Sequence, residues 1–166
     1  MITPKHYAIS DVGKRQHNED AYCIEPECGL YVVADGMGGH SSGEVASNLA
    51  VETIRDFFLE HLDDEGITWP WGMDSGMSLT ENKVCVAVRM ANRAILSKAV
   101  DGHNGMGTTV VVMARIQDRV IIGHIGDSRA YMLRDGKLIQ LTRDHSLCNM
   151  MRDEGVQVTE DAIARY

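Results

Sequence analysis

The sequence predicts an α+β domain whose strands pair antiparallel. Short strand-like runs open the chain, and two long segments with helical spacing follow. A group of β-branched, alternating runs separated by short turns comes next. Strands and helices do not alternate one by one, so the βαβ units of a parallel sheet are not expected. A length of 166 residues suits a single domain over 1–166.

Taken in order, His6–Ser10 is a short candidate strand. Ala21–Glu25 and Leu30–Ala34 flank a turn at Pro26–Gly29 and read as a hairpin. The second strand runs into Asp35-Gly36-Met37-Gly38-Gly39-His40. Ser41 and Glu44 then match a capping box, and Val45, Ala46, Leu49, Ala50, Ile54, Phe57 and Phe58 keep helical spacing to near His61. Asp63-Asp64-Glu65-Gly66 breaks that pattern, and 62–78 reads as a surface loop around Trp69-Pro70-Trp71-Gly72. A second helix is predicted over Leu79–Val100, with Val84, Ala87, Val88, Ala91, Ala94 and Ile95 on its apolar face.

The period then changes to that of strands. Thr108–Ile116, Val120–Ile125, Arg129–Arg134 and Lys137–Leu141 are separated by Gln117-Asp118, Gly126-Asp127 and Asp135-Gly136. Asp-Gly between two such runs is a strong hairpin signal, so an antiparallel meander is expected. A short helix around Leu147–Glu154 and a helix start at Thr159 complete the reading.

Composition narrows the function classes. Hydrophobic residues at 44% and charged residues at 24% are the balance of a soluble globular protein. Apolar runs such as Val110–Ala114 are too short to cross a bilayer, and Met1–Ser10 lacks the apolar core of a signal peptide. A cytoplasmic protein without a membrane partner is the expectation. The net charge of −8 argues against generic nucleic-acid binding, which needs clustered Lys and Arg. Cys23, Cys28, Cys85 and Cys148 form no CxxC pair and are expected as reduced thiols.

Three constellations have the residue types of a phosphate or cation site. Arg15 stands four and five residues before Glu19 and Asp20; taken alone, this reads equally as a solvated turn with a local ion pair. Asp35 ends an apolar strand, and the glycines after it let a backbone approach a ligand. A carboxylate and an exposed carbonyl there suit Mg²⁺ or Mn²⁺, although the segment is also an ordinary glycine-rich turn. It has neither the spacing of a P-loop nor that of a dinucleotide fingerprint. Asp127, between two strands, is either a third oxygen ligand or the tip of a hairpin.

Together the blocks resemble the metal-dependent serine/threonine protein phosphatases of the type 2C, or PPM, family. The matching pieces are Ser10-Asp11-Val12-Gly13 with Arg15 and Asn18-Glu19-Asp20, Ala34-Asp35-Gly36-Met37-Gly38-Gly39-His40, and Gly43-Glu44. They continue with Gly107-Thr108-Thr109-Val110, Gly126-Asp127-Ser128-Arg129-Ala130-Tyr131 and Leu141-Thr142-Arg143-Asp144-His145-Ser146. The wording of the second and last blocks is similar to the bacterial branch.

The resemblance implies an antiparallel β-sandwich flanked by helices, with two Mn²⁺ or Mg²⁺ ions and a third, weaker site. By the same resemblance Asp35 bridges both metals and Gly36 offers its carbonyl. Glu19 acts through metal-bound water, Asp20 supports the hydration shell, and Asp127 belongs to the third site. Arg15 grips the substrate phosphate, for which a planar guanidinium is well shaped. The implied reaction is hydrolysis of phosphoserine and phosphothreonine by a water that the cations acidify, so no covalent nucleophile is needed. Some members carry a histidine where this chain has Met37; His40 is a candidate helper in leaving-group protonation or a loop-packing residue. The implied partners are phosphorylated proteins, substrates of a serine/threonine kinase.

The family pattern also holds two further metal-binding aspartates, in a Ser-Asp-Gly block and an Asp-Asn pair, neither of which is found up to Tyr166. The expectation is therefore the N-terminal two-thirds of such a domain, C-terminally incomplete, with phosphatase activity impaired unless another chain completes the site. The alternatives are an inactive phosphatase-like module that binds phosphoproteins or regulates a signalling partner, and a metal phosphoesterase acting on small molecules.

Overall fold

A computed structural model describes residues 4–38, 42–62, 67, 69–100, 105–146, 149 and 153. The strands β1 (Asp20–Glu25) and β2 (Leu30–Met37) form the first hairpin. Helices α1 (Ser42–Glu60) and α2 (Leu79–Val100) follow. The strands β3 (Gly107–Thr108), β4 (Val110–Ile116), β5 (Arg119–Ile125), β6 (Tyr131–Arg134) and β7 (Lys137–Gln140) complete the described elements.

Every strand pair is antiparallel, and the main sheet has the order β1-β2-β4-β5, with β3 added to the end of β2. Among the described residues the second sheet consists of the β6–β7 hairpin. The expected meander thus divides between β5 and β6, where the chain leaves one sheet for the other. The turns join strands as their residues dictate. Gln117 and Asp135 both sit at φ 51°, and Gly136 follows at 71°, the left-handed conformations of a tight hairpin.

One face of the main sheet is buried by the helices. Leu30, Val32 and Ala34 of β2 and Val110, Val112 and Ala114 of β4 meet Ala46, Ala50, Ile54, Phe57 and Phe58 of α1 and Val84, Ala87, Ala91 and Ile95 of α2. Leu30, Ile54 and Val112 are fully buried. Each such side chain contributes about 1.5–3 kcal/mol of transfer free energy. The alternate residues of β1 and β2, namely Asp20, Tyr22, Val33 and Asp35, turn to the opposite face and are exposed.

α2 has the predicted bounds; most of the predicted faces of both helices are buried, with Val45, Leu49, Val88 and Ala94 half-buried, and Ser47, Val51 and Val86 are added. Ser78 and Glu81 cap α2 reciprocally: Ser78 N donates to Glu81 Oε2 at 2.7 Å and Glu81 N to Ser78 Oγ at 3.3 Å. Lys83 Nζ donates to the His61 carbonyl and ties the two helices across the loop.

Four expectations need correction. His6–Ser10 is not a strand: it runs unpaired over the open sheet face, with Tyr7 85% and Ile9 77% exposed. β2 continues three residues past Ala34, because Gly36 and Met37 pair with Thr108 and Gly107. The run Thr108–Ile116 is interrupted at Thr109, and Arg129–Ala130 lie outside β6. His40, Ser41, Cys148 and most of Leu147–Glu154 lie outside the described residues; Asn149 and Asp153 are helical. No helix among the described residues is long and apolar enough to cross a membrane.

Candidate active site

β1 and β2 bring the first two constellations together. Their register sets Asp20 directly across from Asp35 on the open face. Like charges opposite each other cost stability, so the pair is placed for something other than folding. The Asp35 carboxyl is held above its usual pKa by burial and then by the charge of Asp20. Arg15 opposes that rise, whereas a hydrogen bond with Asp20 and the charge of Asp127 add to it. Asp35 therefore feels Arg15, Asp20 and Asp127, three of the four other charged residues of the sequence constellations.

The loop before β1 is built by local hydrogen bonds. Gly13 N donates to Asp11 Oδ1 at 2.7 Å, and Arg15 N to the Val12 carbonyl at 3.2 Å. Asn18 spans the loop: its Nδ2 donates to Ser10 Oγ at 2.6 Å, and its Oδ1 accepts from Asp20 N at 3.0 Å. Asn18 thus fixes where β1 starts and where Asp20 stands. A cleft of about 400 Å³ is lined by Arg15, Asn18, Glu19, Asp20 and Asp35, and a second of about 470 Å³ by Asp20, Asp35 and Ser128. Asp20 and Asp35 line both.

Gly36 is required by close approach. A Cβ there would lie 2.1 Å from the Gly43 carbonyl oxygen and 2.6 Å from that of Glu19. Its N–H donates to the Glu19 carbonyl at 3.0 Å, which also accepts from the buried Ser47 hydroxyl at 2.5 Å. The Glu19 side chain lies against the first turn of α1, where a Cβ on Gly43 would come within 2.8 Å of its carboxyl. The positive end of the helix dipole is there. Glu19 lines the cleft together with Asp35.

Asp127 lies in the loop between β5 and β6, after Gly126 at φ 96°. That loop is strapped from one side by the residues after β7. His145 N donates to the Gly126 carbonyl at 2.9 Å, and Arg129 forms a two-pronged ion pair with Asp144 at 2.6–3.1 Å. His124 Nε2 meets the Arg143 carbonyl at 2.8 Å, and its ring lies 4.6 Å from that of His145. The pair with Arg129 holds the Asp144 carboxyl below the usual carboxylate range.

The donor chemistry fits a hydrated hard cation. Carboxylate oxygens suit Mg²⁺ and Mn²⁺, and Mg²⁺ commonly takes one or two carboxylates and keeps several waters. Among the described residues no group of three or more His, Cys, Asp or Glu side chains is arranged to hold a metal ion by itself. Asp20 and Asp35 are both exposed on this edge, so a cation held there would keep part of its water shell.

The sequence model of the family described as "Protein phosphatase 2C" matches residues 10–160. The chain belongs to this family. It is 38% identical over 161 residues to the serine/threonine protein phosphatase PstP of Mycobacterium tuberculosis, covering 95% of this chain and 28% of PstP. It is 36% identical over 158 residues to the serine/threonine phosphatase stp of Listeria monocytogenes, covering 90% of this chain and 57% of that protein. The fold agrees. The crystal structure of the PstP catalytic domain in complex with two manganese ions superposes with a TM-score of 0.65 at 39% identity, over 89% of this chain and 58% of that one. The chain thus spans less than two-thirds of each of these relatives.

The geometry brings Arg15, Asp20, Asp35 and Asp127 to one edge and places Glu19 and Gly36 beside it. Sequence reasoning gave no role to Asn18, Ser47 or Thr109. Asn18 adjoins Glu19 in sequence, whereas Ser47 reaches the Glu19 carbonyl from α1 and Thr109 meets Asp35 from across the sheet, links visible only once the chain is folded.

Proposed function

We propose that the chain hydrolyses phosphoserine and phosphothreonine esters in proteins, using Mn²⁺ or Mg²⁺ at the Asp20–Asp35 edge. The observation that carries this reading is the facing pair Asp20 and Asp35 with Arg15 in the same cleft. Asp35 would hold the cations, with the Gly36 carbonyl beside it and Asp20, facing Asp35, supporting their hydration shell. Asp127 would serve a further, weaker ion, and Glu19 would act from the first turn of α1. Cations bound there would offset the charge of a phosphate monoester and acidify a water for in-line attack.

The protein's own residues divide the remaining work. Arg15 presents a planar guanidinium to the phosphate oxygens, which a lysine's point charge would match less well. Asn18 holds the Asp20 backbone, and Ser47 with Gly36 holds that of Glu19, so the protein's own bonds fix the main chain from which these carboxylates project. The natural substrates on this reading are cytoplasmic proteins phosphorylated by a serine/threonine kinase.

The test is phosphate release from a phosphothreonine peptide, with Mn²⁺ and with chelator. Mn²⁺-dependent release that Asp35→Asn abolishes supports the proposal, with Arg15→Lys raising KM more than it lowers kcat. Folded protein that binds the peptide and releases no phosphate at any Mn²⁺ concentration overturns it in favour of a binding module.

A further inference from the structure

Thr109 occupies the break between β3 and β4, across from Asp35. Its N–H donates to the Asp35 carbonyl at 2.9 Å, as a ladder partner would. The return bond is different: Asp35 N donates to Thr109 Oγ1 at 3.1 Å. In a regular antiparallel pair it would take the facing carbonyl. The Thr109 carbonyl instead accepts from the Thr108 hydroxyl at 2.9 Å.

The same Thr109 hydroxyl reaches the Asp127 loop, with its Oγ1 lying 2.6 Å from Ser128 Oγ. A hydroxyl has one proton and two lone pairs, so it can accept from Asp35 N–H and still share a bond with Ser128. Its methyl has a separate task. A Cβ on Gly126 would come within 2.7 Å of Thr109 Cγ2, so the methyl lies flush under the residue before Asp127. One side chain therefore touches the residues on both sides of Asp127 and the backbone of Asp35. Serine would keep the hydroxyl alone, and valine the methyl alone.

We propose that Thr109 is a positioning residue whose hydroxyl couples the Asp35 strand to the Asp127 loop and thereby sets the spacing of the two carboxylates. The link to cation binding rests on the phosphatase reading; the link between strand and loop does not. The strap from Asp144 and His145 holds the loop from its other side, so losing the Thr109 hydroxyl loosens the loop without unfolding it.

The first readout is amide hydrogen exchange of the full chain in chelator. One hydrogen bond is worth about 1 kcal/mol, so Thr109→Val speeds exchange at Asp35 and across Gly126–Ser128 by about fivefold. Thr109→Ser stays near the wild-type rate at Asp35. The second readout is the Mn²⁺ concentration for half-saturation, followed by the electron paramagnetic resonance of the free ion. It rises several-fold in Thr109→Val and is rescued in Thr109→Ser. A core variant, Ile54→Val, lowers stability and moves neither readout. Exchange in Thr109→Val equal to wild type overturns the coupling, as does a Ser variant that behaves like Val. A wild-type chain that binds no Mn²⁺ refutes the cation reading, while the exchange data still decide the role of Thr109.

Discussion

Asp35→Asn should stabilise the chain when no cation is present. Asp35 faces Asp20 across the hairpin, and Asp127 adds a second negative charge that Arg15 partly offsets. For exposed cross-strand groups a like-charge contact costs about 0.2–1 kcal/mol, and Coulomb's law in a water-like medium gives about 1 kcal/mol at 4 Å. Neutralising Asp35 should therefore recover about 0.5–1 kcal/mol. For a chain of this size that raises Tm by about 1–4 °C. The measurement is thermal unfolding by circular dichroism in chelator at low ionic strength. The Asp35 carboxyl has its pKa raised above 3.8 in the folded state, so the penalty develops as pH climbs through that raised value. The gap between variant and wild type is thus open at neutral pH and closes as pH falls below 3.8. About 1 M salt should shrink it, because the screening length falls to ~3 Å. An Asn variant no more stable than wild type at neutral pH, or a gap that persists in acid, refutes the reasoning.

Gly36→Ala would drive a Cβ into the Gly43 and Glu19 carbonyls and should cost about 1–3 kcal/mol in urea unfolding; an unchanged midpoint would remove the close-approach argument. Asp144→Asn should destabilise the chain above pH 3.8 and converge on wild type as pH falls through the depressed Asp144 value, since a protonated Asp144 no longer pairs with Arg129. Burial pushes the Cys23 thiol up to about 11, so iodoacetamide at pH 8 should label the exposed Cys85 first; peptide mapping that finds Cys23 labelled first would contradict the packing of β1.

The helices were legible because their signals are local. Val84, Ala87, Ala91 and Ile95 mark the face of α2, and the helix spans the expected Leu79–Val100; the Ser78–Glu81 cap at its start emerged only from the structure. The Asp135-Gly136 turn is equally local. What stayed hidden depends on partners distant in sequence. Asp35-Gly36-Met37 looks like a loop from its glycines, yet it is strand because Gly107 and Thr108 pair with it. His6–Ser10 has strand-like residues but no described ladder partner, and it lines clefts with the open face instead of joining the sheet. At the site, Arg15, Asp20, Asp35 and Asp127 were legible as residue types within recognisable blocks. Their meeting depends on the β1–β2 register and on the path of the chain after β5. Thr109 was visible only as part of a matching block, because its hydroxyl acts across strands to residues 74 and 19 positions away.

The central claim is that the Asp20–Asp35 edge binds a divalent cation, and a Mn²⁺ titration of the chain beside Asp35→Asn tests it most directly. The account predicts saturable Mn²⁺ binding by the wild-type chain, weakened by Asp127→Asn and lost in Asp35→Asn, with both variants folded. Binding by Asp35→Asn equal to that of wild type would contradict it, because the ion would then be held somewhere other than the edge where Asp20 and Asp35 face each other.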